Sequence, residues 1–79
     1  MSVAVADRAT LDAALLMAHE IGDRAALVAL YTQAAEDAGG TAAAFYLTHA
    51  YVFALDVGAD AAPILRARLI EMGAEVAVT

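Results

Sequence analysis

Phe45-Tyr46-Leu47-Thr48-His49-Ala50-Tyr51-Val52-Phe53-Ala54-Leu55-Asp56-Val57-Gly58 is the stretch whose reading decides the fold. Wound into a helix at about 100° per residue, it is apolar almost all the way round. With the residues just before it, one face carries Ala43, Ala44, Leu47, Ala50, Tyr51, Ala54 and Leu55; the opposite face carries Phe45, Tyr46, His49, Val52, Phe53 and Asp56. A helix that is apolar on both sides is buried on both sides, by its own chain or by another. Gly58 supplies the stop, because glycine enters the left-handed conformation at low cost. The spacing predicts a central helix from about Ala42 to Val57, with the remaining elements arranged around it.

Working outward, the same periodicity recurs on either side. Upstream, Leu11, Ala14, Leu15, Ala18 and Gly22 step by three and four residues, which lines one helix face from about Asp7 onward. Asp7 or Thr10 is expected to cap that helix and Gly22 to end it. Asp23 caps a second helix whose stripe is Leu27, Leu30, Tyr31, Ala34, Ala35 and Ala38, stopped by Gly39-Gly40. So short a link between the two makes them an antiparallel hairpin. Thr41 is the expected cap of the central helix. Downstream, Asp60 is the expected cap of a fourth helix with the stripe Ala62, Leu65, Leu69 and Met72, closed by Gly73. Pro63 is tolerated there because the first turn leaves its missing N–H without consequence. The expectation is one all-α domain over residues 1–79, with hairpins at about 7–38 and 41–73, a frayed lead-in at 1–6 and a loose tail at 74–79. No strand signal occurs.

Composition narrows the function classes. The chain has 79 residues, 63% of them hydrophobic, and a mean hydropathy of +0.70. So small a body cannot hide all that apolar surface, which favours a second copy or a partner and makes a homo-oligomer the expectation. The net charge is −6, with four arginines and no lysine. That balance argues against nucleic acid, whose binding needs a basic surface, and against anionic membranes. The uncharged run between Asp37 and Asp56 is broken by Gly39-Gly40-Thr41 and Thr48-His49 and is mostly alanine, so it does not read as a membrane span. The N-terminus has no basic start of the kind that opens a signal peptide. With an alanine-rich, lysine-free composition, the expected setting is a bacterial cytoplasm. There is no cysteine, hence no disulfide, thiol nucleophile or cysteine–zinc site.

The two halves of the chain echo each other. Gly22 and Gly58 stand 36 residues apart, and Ala18-His19-Glu20-Ile21-Gly22 aligns with Ala54-Leu55-Asp56-Val57-Gly58. In that register Leu11 falls on Leu47, Ala14 on Ala50 and Leu15 on Tyr51. A helical hairpin repeating in the mid-thirties is the layout of the tetratricopeptide class. Ala14, Ala18, Gly22, Leu27, Tyr31 and Ala34 resemble the small and bulky signature positions of that repeat. The run Leu30-Tyr31-Thr32-Gln33-Ala34-Ala35-Glu36, followed by Ala44, Leu47 and Tyr51, is similar to the related Sel1-like repeat. The tryptophan-like positions are Leu11 and Leu47 here, and Gly39 stands where a unit usually ends in proline. The resemblance implies two tandem hairpins, with the aromatic of the second helix filling the gap between small residues. It also implies protein–protein binding on a concave face in place of catalysis. Arrays of this kind usually need about three repeats to be stable, so two favour dimerisation or closure into a compact bundle.

The residues that can carry chemistry are few. His19 and Glu20 are adjacent and point apart on a helix; His49 and Asp56 lie about 10 Å apart along the axis. Neither pair shares a ligand sphere, and the Glu-x-x-His spacing of helical metal sites does not occur. Gly39-Gly40-Thr41 has no basic neighbour in sequence and reads as a turn and cap. No cofactor, metal or catalytic residue is therefore assigned. The expected interaction face is Phe45, Tyr46, His49, Val52 and Phe53, since aromatics bury much area with few rotamers to lose. Its bland alternative is ordinary core covered by the second or fourth helix. The reading from another class is a small-ligand bundle with Tyr31, Tyr46, Tyr51 and His49 lining a pocket.

Overall fold

Among the described residues the helix backbones approach one another in chain order: α1 (Val3–Ile21) on α2 (Arg24–Ala38), α2 on α3 (Gly40–Val57), α3 on α4 (Ala61–Glu71). The structure is a computed structural model that describes residues 3–74, with side chains from residue 9. The all-α class read from the periodicity is what forms. Packing in chain order gives a slab of 44 × 28 × 16 Å with a radius of gyration of 12.7 Å. A compact globule of this length has a radius of about 11.6 Å, so the array is somewhat elongated.

The helix ends follow from backbone hydrogen bonding. At the end of α1, the Asp23 N–H donates to the Ala18 carbonyl at 2.9 Å. At the end of α3, the Ala59 N–H donates to Ala54 at 2.8 Å, and at the end of α4 the Ala74 N–H donates to Leu69 at 2.9 Å. All three satisfy carbonyls that a helix end would leave bare. Gly58 reaches this geometry at φ 66°, ψ 35°, where any side chain is disfavoured. Because α4 closes in the same way, the bond pattern marks a glycine-ended helix and does not by itself define a repeat.

Several starts differ from expectation. Helix α1 begins at Val3, upstream of Asp7 and Thr10, so neither caps it. Val3-Ala4-Val5-Ala6 contains no breaker, and nothing stops the helix from propagating toward the N-terminus. Helix α3 begins at Gly40, one residue before the expected cap Thr41. Gly39 takes over both jobs at φ 68°, ψ 173°, a region almost confined to glycine. Its N–H donates to Ala35 and its carbonyl accepts from Ala43, each at 3.1 Å, so one residue closes α2 and opens α3. Asp60 makes no side-chain cap bond. Asp23 does cap α2, accepting from the Ala26 N–H at 3.1 Å. Asp23→Ala should therefore cost about 1 kcal/mol in urea unfolding, whereas Asp60→Ala should lie within about 0.5 kcal/mol of wild type. The tail from residue 75 lies outside the described residues.

The core is built from leucines set among alanines. Leu27, Leu47 and Leu69 are the largest fully buried side chains, one on each of α2, α3 and α4. Leu11 and Ala18 on α1 pack toward α2, where Leu27 and Ala34 are also buried. Ala43, Ala50 and Ala54 bring α3 close to its neighbours, and Tyr51 is buried with them. Val28 joins the core although it lies off the expected stripe. Helix α2 is contacted by α1 on one side and α3 on the other, which widens its buried sector. Ala38, Leu55 and Met72 were expected inside and are exposed, Ala38 and Met72 at helix ends and Leu55 on a flank of α3. Among the described residues no helix is long and apolar enough to cross a membrane.

Candidate interaction site

The face of α3 that points away from Leu47 is neither wholly core nor wholly open. Tyr46, His49 and Phe53 are half-buried, while Phe45 is 60% and Val52 54% exposed. All five expected residues thus share one flank, and the sequence-based reading of that flank was incomplete in one respect. Tyr31 of α2 reaches across and becomes its centre. The Tyr31 ring stacks on Phe53 at 6.0 Å between centroids and 9° between planes, on Tyr46 at 6.2 Å and 29°, and lies against His49 at 5.0 Å. From α1, His19 meets Tyr31 edge-on at 5.8 Å and Phe53 at 5.9 Å. Phe45 sits outside this group, touching Tyr46 at 5.6 Å and His49 at 4.5 Å. Offset and edge-on pairs at these separations suit the ring quadrupoles, and each adds about 0.5–1.5 kcal/mol beyond area burial.

Polar atoms fix the orientation of the rings. His19 Nε2 and the Tyr31 hydroxyl are 2.8 Å apart. The bond forms with either tautomer, because a hydroxyl both donates and accepts. His49 Nδ1 lies 3.0 Å from the Phe45 carbonyl. A carbonyl only accepts, so Nδ1 carries the proton and the Nε2 of a neutral His49 is left as an acceptor. At the far end of the strip Arg24 of α2 pairs with Asp56 of α3 at 2.9 Å. Both partners are exposed, so the pair is worth at most about 1 kcal/mol.

Burial pushes the Tyr31 hydroxyl above its ordinary value of 10.0, and the neighbouring Tyr46 phenol acts in the same direction. A group that holds its proton more tightly when folded stabilises the fold fully below its unfolded pKa of about 10, and this is lost as pH rises through the folded value. Wild type should accordingly lose stability across that alkaline window faster than Tyr31→Phe, read as the urea midpoint at successive pH values. Parallel curves for the two proteins would show that Tyr31 ionises alike in both states.

The remaining candidates separate in space. Tyr51 is 4% exposed and lies on the core face of α3, so it does not join Tyr31, Tyr46 and His49. The Tyr31 ring lies against both Tyr46 and His49. A small cavity of about 20 Å³ lies beside Tyr46, lined also by Leu11, Asp12, Leu15, Asp37 and neighbouring alanines. It has room for about one water. A shallow dish lies between Thr48, His49, Val52 and Phe53, floored by the outer edge of the ring cluster. Among the described residues no three acidic or imidazole side chains gather as a metal site would require. Sequence reading placed Tyr31 at a repeat position and in the rival pocket and weighed His19 only as a metal ligand, leaving both off the interaction face. No family model matches the chain, and neither a curated protein nor a solved structure is significantly similar to it.

Proposed function

We propose that the chain is a non-catalytic protein-interaction module, two helical hairpins in a tetratricopeptide-like arrangement, whose docking surface is the ring-bearing flank of α3. The observation that carries this is the contrast within one flank: Phe45 and Val52 stand more than half exposed on a base of rings locked by stacking and hydrogen bonds. Rigid aromatic anchors of this kind give up little entropy on binding. The experiment is light scattering behind size exclusion, for wild type and for Phe45→Asp combined with Val52→Asp. Wild type should form a complex with a co-eluting polypeptide from its own cells, and the double variant should retain its helical circular dichroism and lose that polypeptide. Identical behaviour of the two proteins would overturn the assignment.

Leu16, Met17 and Ile21 favour a second contact, between copies of the chain. All three are more than half exposed on α1, the helix at the edge of the array. On this reading Met17→Glu dissociates a homodimer that Phe45→Asp leaves intact, again by light scattering.

A further inference from the structure

We infer that the polypeptide received by the α3 flank is a basic amphipathic helix, one with an apolar row bordered by arginine or lysine; this rests on the docking assignment above. The apolar part follows from the surface. Phe45, His49, Val52 and Phe53 are spaced three and four apart, so they form a ridge of α3 that interdigitates with the ridges of another helix. From Phe45 to Phe53 the ridge runs roughly 12 Å, about two turns of a partner helix. Among the described residues there is no strand, so no sheet edge offers backbone pairing to an extended peptide.

The basic part follows from the rim. Asp12 and Asp37 line the small cavity beside Tyr46, at the end of the strip nearest the start of α3. Asp56 lies one turn beyond Val52 and is paired with Arg24, which among the residues whose side chains are described is the cation paired at this flank. Arg66 and Arg68 lie on α4, and Arg68 faces Glu36 at 3.9 Å. The Tyr46 end of the ridge is thus bordered by Asp12 and Asp37, within a chain of net charge −6. Lysine or arginine on the flanks of an incoming helix would meet those carboxylates, and a guanidinium could also lie over the exposed Phe45 ring. A second copy brings the same surplus of carboxylates and so supplies no cation for Asp12 and Asp37 to meet, which a basic helix does.

The test uses the full chain and three labelled synthetic peptides of about 18 residues, sharing one leucine row at helical spacing and carrying lysine and arginine, glutamine, or glutamate at the flanking positions. Binding is read by fluorescence anisotropy. The basic peptide should bind about tenfold or more tightly than the neutral one, the acidic peptide more weakly still, and the advantage should shrink between about 50 mM and about 500 mM salt. Phe45→Ala should abolish binding, and Asp12→Lys with Asp37→Lys should remove most of the basic peptide's advantage while leaving the melting temperature unchanged. Equal affinity for all three peptides, still lost in Phe45→Ala, would overturn the basic partner and leave the docking assignment standing. Binding of the basic peptide that ignores Phe45→Ala would be charge attraction away from the ridge, and would also overturn it. If no peptide binds and light scattering finds a dimer dissolved by Phe45→Ala, the occupant is a second copy. If no peptide binds and the chain is a monomer throughout, or a dimer that Phe45→Ala leaves intact, the inference and the docking assignment fall together.

Discussion

Leu47→Ala is expected to remove about 2–5 kcal/mol of stability and to leave a large fraction of the chain unfolded near 37 °C. Leu47 is 0% exposed at the middle of α3, where α2 and α4 converge. Its surroundings decide where in that range the loss falls. Ala43, Ala50 and Ala54 line the same face of α3, and an alanine has no longer rotamer with which to fill a void. The cavity should stay open, which places the loss in the upper half of the range. A chain of this size has a total stability of about 4–12 kcal/mol, so the loss is a large share of it. Urea unfolding followed by circular dichroism measures it. A loss below about 1 kcal/mol would mean that the helices close over the gap, and that the alanine faces are less rigid than their close approach implies.

Tyr31→Ala is the second large effect, about 2–3 kcal/mol, smaller because the side chain is only half-buried. The variant removes the ring that His19, Tyr46, His49 and Phe53 all touch, so the loss reaches three helices at once. Tyr31→Phe keeps the ring and loses only the bond to His19, which should cost about 1 kcal/mol or less at neutral pH. The comparison isolates stacking from hydrogen bonding. The imidazole resonances of His19 and His49 report the same event by NMR: both should shift in Tyr31→Ala, and His19 more than His49 in Tyr31→Phe. Equal stability losses in the two variants would show that the hydroxyl, not the ring, holds the flank together.

What was legible in the sequence depended on local information. The 3.6-residue period placed all four helices, and the glycines at 22, 58 and 73 marked their ends, because a cap is set by backbone geometry within a few residues. The start of α3 was less legible, since Gly39 competes with Thr41 for the cap and only backbone geometry decides between them. Side-chain partners across helices were the least legible. A helical wheel puts Phe45 and Phe53 on one face, yet it cannot know that Tyr31 will reach over one and leave the other open. Val28 was missed for a related reason: the wheel of α2 assumes one neighbour, and α2 has two. The five residues chosen for the candidate face do lie together, while its hub and its α1 partner had to be found in three dimensions.

Packing in chain order has a consequence for the time course of folding. Each backbone interface can form once a single short link has closed, so the loop entropy to be overcome is small at every step and folding should be fast for a chain of this length. It also ranks the helices by how easily they are released. The backbone of α1 rests on α2 alone and that of α4 on α3 alone, whereas α2 and α3 each have a helix on either side. Amide hydrogen exchange should therefore run from the outside inward, with α1 and α4 exchanging through partial opening and the middle pair only through complete unfolding. Uniform exchange across the four helices would make the array one cooperative unit. If the middle pair is slowest, the flank of α3 remains a formed surface even while either end of the molecule is transiently undone.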